Sequence, residues 1–184
     1  VALSVEIRDI AYVEAVGQGV EGYISQIEEA LKRELDRYTW SRFYGPLVYA
    51  IQGGKRIRPL LLLLSTDAVG GRVSDALDVA VAVELLHTES VIHDDIIDQE
   101  ISRRDRMAFH VNYGYGASLL TADFVFGMIL NIASRYSDPR IAQELSSAAI
   151  RMCEGEFEEL KIDPRLCKLP WNEYLNLIRR KTAS

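Results

Sequence analysis

Apolar residues recur along this chain at the three- and four-residue spacing of α-helices, and strand signals are almost absent. In the first such run, over residues 19–37, the apolar positions share one helix face; they are Ile24, Ile27, Leu31 and Leu35. No stretch alternates apolar and polar residues for six positions between turn pairs, and no Asn-Gly hairpin signal occurs. The pattern predicts an all-α chain with short connections, packed as a helical bundle.

Glycine, proline and capping residues predict where the other helices begin and end. A second helix is expected over 45–52, and a third from Pro59 to the Gly70-Gly71 pair. Ser74 is predicted to cap a long fourth helix. Three more helices are expected over 116–136, over 138–161 with an Asp138 cap, and from Pro170 onward.

Charge and composition exclude several classes of protein. The 184 residues carry 21 basic and 27 acidic side chains, and the net charge of −6 argues against nucleic-acid binding. No stable membrane insertion is expected, because Asp123 and Asn131 interrupt the longest apolar run, over 119–132. Cys153 and Cys167 match no metal-ligand spacing and favour a reducing, cytoplasmic location. We expect one domain over 1–184.

The sequence His-Asp-Asp-Ile-Ile-Asp places Asp94, Asp95 and Asp98 near the end of the predicted long helix. Asp94 and Asp98 are one turn apart, so like charges meet on one helix face. A hard divalent cation relieves that repulsion, and carboxylate oxygens without Cys or paired His favour Mg²⁺. A solvated acidic face is an equally weighted reading of this motif taken alone.

Cations flank the acidic helix in sequence. Gly53-Gly54-Lys55-Arg56-Ile57-Arg58-Pro59 is a glycine-bounded basic loop before a proline-started helix, which favours an anion such as phosphate. Arg103-Arg104 follows the aspartates, and Lys181-Thr182 lies at the end of the sequence. Each basic segment could also be an ordinary solvated surface, and the glycine loop lacks the P-loop pattern.

These motifs, in this order, together with Glu84-Leu-Leu-His87-Thr, closely resemble trans-isoprenyl diphosphate synthases of the polyprenyl synthetase family. The resemblance extends from about residue 20 to the end and is greatest to archaeal geranylgeranyl and geranylfarnesyl diphosphate synthases. It implies an isoprenoid-synthase-like helical bundle around a central cavity, a homodimer, and small-molecule prenyl diphosphates as ligands.

The resemblance also implies roles for individual residues. Lys55, Arg58, His87 and Arg104 would bind isopentenyl diphosphate. Mg²⁺ on Asp94, Asp95 and Asp98 would hold the allylic diphosphate, which Arg103, Lys181 and Thr182 would also contact. The reaction implied is ionisation of the allylic diphosphate, attack by isopentenyl diphosphate and loss of a proton.

Product length in the family depends on residues just before the aspartates. Glu89 and Ser90 occupy those chain-length positions, and neither is an aromatic plug, so the expected product is geranylgeranyl diphosphate or longer. Glu89 needs a partner if it lies in an apolar tunnel.

Other readings stay open at the level of sequence. The chain could be a non-catalytic or half-site subunit of a heteromeric prenyl synthase. A cyclising terpene synthase would share the aspartates without needing the basic loop. A metal-storage bundle is disfavoured, because Glu84-x-x-His87 has no second copy.

The family pattern also differs from this sequence in places. Asp105 and Ala122 stand where the family usually has Gly, and Glu156 and Glu159 where it has Gln and a later Asp. A second aspartate-rich motif of the family has no counterpart here. We therefore expect these residues to be the N-terminal part of a larger domain, with little activity alone.

Overall fold

The computed structural model describes residues 7–103, 105–162 and 170–181, with side chains from residue 19 onward. Within these ranges the chain forms eight helices and one two-stranded ribbon. The elements in order are α1 (Ile7–Asp36), α2 (Tyr44–Ile51), α3 (Ile57–Ala68), α4 (Val73–Ile97), β1 (Ser102–Arg103), β2 (Arg106–Met107), α5 (Phe109–Tyr113), α6 (Tyr115–Ala133), α7 (Pro139–Glu159) and α8 (Trp171–Lys181). The all-α class predicted from the periodicity is confirmed.

Three predicted helix starts are wrong, and α5 was not predicted. Helix α1 begins at Ile7 rather than at residue 19. Helix α3 begins at Ile57, two residues before Pro59, because Arg56 turns the chain with left-handed backbone angles and occupies the N-cap position. Helix α4 begins at Val73, and the Arg72 side chain at its N-cap position caps no backbone N–H of the helix. Ser74 is therefore inside the helix. Asp138 does cap α7, since its side chain accepts a hydrogen bond from the Arg140 backbone N–H at 3.0 Å.

Helix α4 is the central helix of the first of two compact units, Val1–Met128. It packs against α1, α2, α3 and α5, and so its middle is apolar on several sides rather than along one stripe. Val81 and Leu85 are buried there, together with Ile27 of α1, Leu47 of α2 and Leu63 of α3. This packing fixes α4 and thereby the polar residues along its second half.

The second compact unit, Ile129–Ser184, is built mainly from α7 and α8. The two helices approach closely at Gly155, where a Cβ atom would lie 2.6 Å from the Lys181 backbone nitrogen. That a single domain spans residues 1–184 stays a prediction.

Helix α6 is the one helix in the described ranges that is long and apolar enough to pass a length-and-composition test for a membrane span. Of its most apolar 18-residue window, 44% is buried inside the fold. A core helix passes the same test, and Asp123 and Asn131 lie within α6, so the finding is weak evidence for a span.

Candidate active site

The basic loop between α2 and α3 has two residues with left-handed backbone angles. Gly53 has φ +79°, and Arg56 has φ +54°, a value that residues with a side chain rarely adopt. Around this turn the three cations separate: Lys55 and Arg58 are exposed to solvent, whereas Arg56 is only 5% exposed. The sequence alone predicted a uniformly basic loop and did not distinguish Arg56 from its neighbours.

The Arg56 guanidinium is held by two carboxylates from distant parts of the chain. Its Nε donates to Glu28 Oε1 of α1 at 2.7 Å, and its Nη1 donates to Glu84 Oε1 of α4 at 2.8 Å. Its Nη2 donates to the Ile51 carbonyl oxygen at 2.9 Å. The hydrogen bonds to Glu28 and Glu84 raise the pKa of Arg56 against the opposing effect of burial, so the guanidinium stays charged.

The loop faces α4 across an open cleft of about 450 Å³. Lys55 lines the cleft from the loop and Arg58 from the first turn of α3, and His87, one turn after Glu84, lines it from α4. Three residues predicted to bind one diphosphate thus line one cleft. Arg56, Glu84 and Asp105 also line it, so two carboxylates share the cleft surface with the cations.

The three predicted metal ligands differ in their surroundings at the end of α4. Asp95 is buried, Asp94 is half-buried, and Asp98 is exposed at the C-cap position. The Asp98 backbone N–H donates to the Asp94 carbonyl oxygen at 2.8 Å, so the helix continues to this point and keeps the two residues one turn apart.

A short hairpin, absent from the sequence prediction, follows the aspartates. Its strands β1 and β2 pair antiparallel, with Ser102 opposite Met107 and Arg103 opposite Arg106. The Arg103 Nε donates to Asp95 Oδ1, which joins β1 to α4. Arg103, which was predicted to bind the allylic diphosphate, is therefore paired with Asp95, which was predicted to bind the metal.

A second set of contacts joins the hairpin to α2. Arg106 lies 4.0 Å from the centre of the Tyr49 ring, and its Nη2 donates to the Tyr49 carbonyl oxygen. Its Nη1 donates to Gln52 Oε1 at 3.1 Å, and the Tyr49 hydroxyl donates to the Met107 carbonyl oxygen at 2.8 Å. These contacts hold the strand that follows Arg103.

The donor set at the end of α4 suits Mg²⁺ more than a closed structural metal site. In the described part of the chain, no group of three His, Cys, Asp or Glu side chains is arranged to hold a metal. Mg²⁺ in phosphate-transfer sites is commonly held by one or two carboxylates and completed by substrate phosphate and water. Asp94 and Asp98, one turn apart, fit that pattern, and Asp95 is paired through its Oδ1 with Arg103.

The two chain-length positions lie one turn before the aspartates. Glu89 Oε1 is 3.0 Å from His93 Nδ1, one turn later on α4, and this hydrogen bond raises the pKa of His93 although burial opposes the shift. The partner that a half-buried Glu89 requires is therefore His93. The Ser90 hydroxyl donates to the His87 carbonyl oxygen at 2.9 Å.

Lys181 belongs to the second unit and is bound by acidic residues of α7. Its Nζ lies 2.8 Å from Glu156 Oε2 and also contacts Glu159 Oε2, and these hydrogen bonds raise its pKa. Glu158 pairs with Arg180 in the same way. Arg104 and Thr182, two further predicted site residues, lie outside the described residues.

The comparison with protein families decides which family the chain belongs to. The polyprenyl synthetase family model matches residues 41–184, more than three quarters of the sequence. The chain belongs to the polyprenyl synthetase family. The basic loop, the cleft residue His87, the aspartates of α4 and Lys181 all lie within the matched range.

Individual members of the family are similar to the chain over about half of their own length. A short chain isoprenyl diphosphate synthase of Methanothermobacter thermautotrophicus is 39% identical over 136 residues, which are 72% of this chain and 42% of that protein. A geranylfarnesyl diphosphate synthase of Methanosarcina mazei is 33% identical over 180 residues, 97% of this chain and 55% of that protein.

A solved structure agrees with this assignment. The crystal structure of geranylgeranyl pyrophosphate synthetase from Pyrococcus horikoshii superposes with a TM-score of 0.81 at 28% identity, over 92% of this chain and 54% of that one. The fold of the family is thus present in this chain, which spans about half the length of the curated relatives it matches.

Proposed function

We propose that the chain contributes the substrate-binding region of a trans-prenyltransferase that condenses isopentenyl diphosphate with an allylic diphosphate. The observation that carries the proposal is the cleft at which Lys55, Arg58 and His87 meet, beside the helix that ends in the three aspartates. A basic cleft and an acidic helix end provide for two diphosphates, one bound by cations and one through a metal.

The basic cleft suits isopentenyl diphosphate, whose charge is not neutralised by a metal in this proposal. Lys55 supplies a compact ammonium group, Arg58 a planar fork of donors, and His87 a ring nitrogen from α4. Arg104, where the family resemblance adds a further cation, is proposed to assist them. The cleft would hold this substrate while its double bond remains available for attack.

The acidic end of α4 suits the allylic diphosphate. Asp94 and Asp98, with Asp95 as a third ligand, are proposed to hold Mg²⁺, which when bound neutralises charge on the departing diphosphate. Arg103 would turn from Asp95 towards that diphosphate, and Lys181 with Thr182 would donate to its oxygens. Lys181 stays protonated for this role because the carboxylates of α7 hold its pKa high.

The proposed reaction balances without a side-chain nucleophile. The allylic C–O bond breaks, and its electron pair leaves with the diphosphate, so that an allylic carbocation remains. The double bond of isopentenyl diphosphate attacks this cation and forms the new C–C bond. A proton is then lost to the released diphosphate, which restores a double bond. An apolar cavity that excludes water would keep the cation from hydrolysis.

We further propose a product of geranylgeranyl length or longer. Neither Glu89 nor Ser90 carries an aromatic ring, and the Glu89 charge is engaged by His93 on the same helix. Phe124 of the first unit stacks against Phe43 with ring centres 4.9 Å apart, and both side chains are half-buried. Homodimeric assembly and a cytoplasmic location complete the proposal.

Isothermal titration of the chain with isopentenyl diphosphate tests this assignment. We expect saturable binding that Lys55→Ala and Arg58→Ala each weaken by about 10- to 100-fold, because each removes a charge-assisted contact. Lys32→Ala, on the exposed face of α1, is the matched control and should bind as the unaltered chain does. The proposal is contradicted if the unaltered chain does not bind isopentenyl diphosphate, or if Lys55→Ala and Arg58→Ala bind it as tightly as Lys32→Ala does. Either result favours a cyclising enzyme without a second diphosphate site.

The product is checked separately by chromatography of the dephosphorylated products that the enzyme forms. We expect geranylgeraniol or longer alcohols, and Ser90→Phe should shorten them by blocking the path of the growing chain. Farnesol as the sole product of the unaltered enzyme contradicts the predicted length.

A further inference from the structure

We infer that Arg56, Glu84 and Glu28 form a positioning device for the isopentenyl diphosphate cleft, although none of the three is itself a ligand. The inference rests on the proposed function, because it concerns how the cations of that cleft are held. We call these three residues the buried triad. Its members come from three separate segments, the basic loop, α4 and α1.

Arg56 also lines the cleft, but its guanidinium is held by hydrogen bonds within the protein. All three guanidinium nitrogens donate hydrogen bonds within the protein, to Glu28, Glu84 and the Ile51 carbonyl oxygen. The triad also carries one positive and two negative formal charges, so it adds no net positive charge to the cleft. Lys55 and Arg58, by contrast, are exposed at the cleft wall.

The triad connects the two walls of the cleft. Arg56 lies in sequence between Lys55 of the loop and Arg58 of the first turn of α3, and its left-handed backbone sets the direction of the chain between them. Glu84 lies one turn before His87 on α4. The 2.8 Å contact between Arg56 and Glu84 therefore fixes the distance from the loop cations to the α4 histidine.

Gly54 is part of this arrangement because the Arg56 side chain folds back over it. A Cβ atom at position 54 would lie 2.2 Å from Arg56 Nη1 and 2.8 Å from Glu84 Oε1. The space that the missing side chain leaves is thus filled by the guanidinium–carboxylate contact. The glycine of the basic loop has a packing reason here, distinct from any contact with phosphate.

Two substitutions at one position separate positioning from simple charge. Glu84→Ala and Glu84→Gln remove the same negative charge from the cleft wall, but only the amide of Gln can still accept a hydrogen bond from Arg56 Nη1. If Glu84 acted only through its charge, both variants would bind the anionic substrate more tightly and to the same degree. If it positions the loop, Glu84→Ala binds more weakly and Glu84→Gln does not.

The experiment is isothermal titration of each variant with isopentenyl diphosphate and, separately, with inorganic pyrophosphate. We expect Glu84→Ala to weaken both affinities by about tenfold, since binding must then order the loop. Glu84→Gln should bind at least as tightly as the unaltered chain. Gly54→Ala, which changes no charge, should reproduce the weak binding of Glu84→Ala.

Thermal melts check that each variant is folded. If Glu84→Ala unfolds the chain, a second pair of variants tests the inference instead. Glu28 has a half-exposed side chain, so Glu28→Ala removes one anchor of Arg56 without emptying a core position. We expect Glu28→Ala to bind about threefold more weakly than the unaltered chain. Glu29→Ala, which changes the exposed neighbour on α1, should bind as tightly as the unaltered chain.

Unchanged affinity in both Glu28→Ala and Gly54→Ala, or equal tightening in the two Glu84 variants, overturns the inference. Absence of binding by the unaltered chain instead overturns the proposed function itself, so the two failures are distinguishable.

Discussion

Replacing Gly155 with alanine tests how tightly α7 and α8 pack in the second unit. Within an exposed helix, Gly→Ala stabilises by roughly 0.8–1.0 kcal/mol, because alanine loses less backbone entropy on folding. At Gly155 the new Cβ would lie 2.6 Å from the Lys181 backbone nitrogen and 2.9 Å from its Cα. These are backbone atoms that cannot rotate away, so α8 must move by about 1 Å, an overpacking that typically costs about 1–3 kcal/mol.

Matched glycines isolate the packing cost from the helix propensity. Gly22 of α1 and Gly127 of α6 also lie within helices, and a Cβ atom at either would meet no other group within 4 Å. We expect Gly155→Ala to be less stable than Gly22→Ala by about 1–3 kcal/mol in urea unfolding followed by circular dichroism.

Hydrogen exchange locates the effect of the Gly155 substitution. The α8 amides should exchange faster in Gly155→Ala, because the shift is confined to the contact of α7 with α8. If Gly155→Ala stabilises the chain as much as Gly22→Ala does, and α8 exchange is unchanged, then the close approach of these helices is refuted.

Three further predictions concern single contacts. Glu89→Gln, measured in EDTA, should lower the free energy of unfolding by less than about 1 kcal/mol at pH 5.5 and hardly at all at pH 8.5. The hydrogen bond to Glu89 raises the pKa of His93, so the stabilisation is present while His93 is protonated and is lost as pH rises through the His93 pKa. Asp138→Ala should speed exchange at the start of α7 at neutral pH. The difference should shrink as pH falls through about 2, the value to which hydrogen bonds from Arg140 lower the pKa of Asp138. Arg106→Lys should speed exchange in the hairpin while α1 stays unchanged, since lysine cannot form the two hydrogen bonds made by the guanidinium fork.

Local patterns were sufficient to predict the longer helices and the cap of α7, because spacing and capping act within a few residues. They missed the short helix α5 and the starts of α1, α3 and α4. They were insufficient for Arg56, whose burial depends on Glu28 and Glu84, each 28 residues away in sequence. The sequence offers a weak signal in retrospect: a glycine pair just before the cations leaves room for a folded-back side chain.

The hairpin was also beyond local patterns. Its strands are two residues long, and it lacks an Asn-Gly or Asp-Gly turn, although Asp105 adopts a left-handed φ of +60°. It is held by tertiary contacts, Arg103 with Asp95 and Arg106 with Tyr49, that only the folded chain brings together. The sequence predicts Mg²⁺ as the partner of Asp95 and the allylic diphosphate as the partner of Arg103. It does not predict that the two side chains pair with each other, because that contact also forms only in the folded chain.

The space above Gly54 has a consequence for how this loop can change by mutation. Alanine at position 54 is disfavoured because the Arg56 guanidinium fills the place of its methyl group, so the effect of one substitution depends on the residue at the other position. A short side chain at position 56 would make alanine at 54 tolerable, but would leave Glu84 buried without its arginine. Substitutions at positions 54, 56 and 84 are therefore expected to be non-additive in stability, because the three positions share one contact.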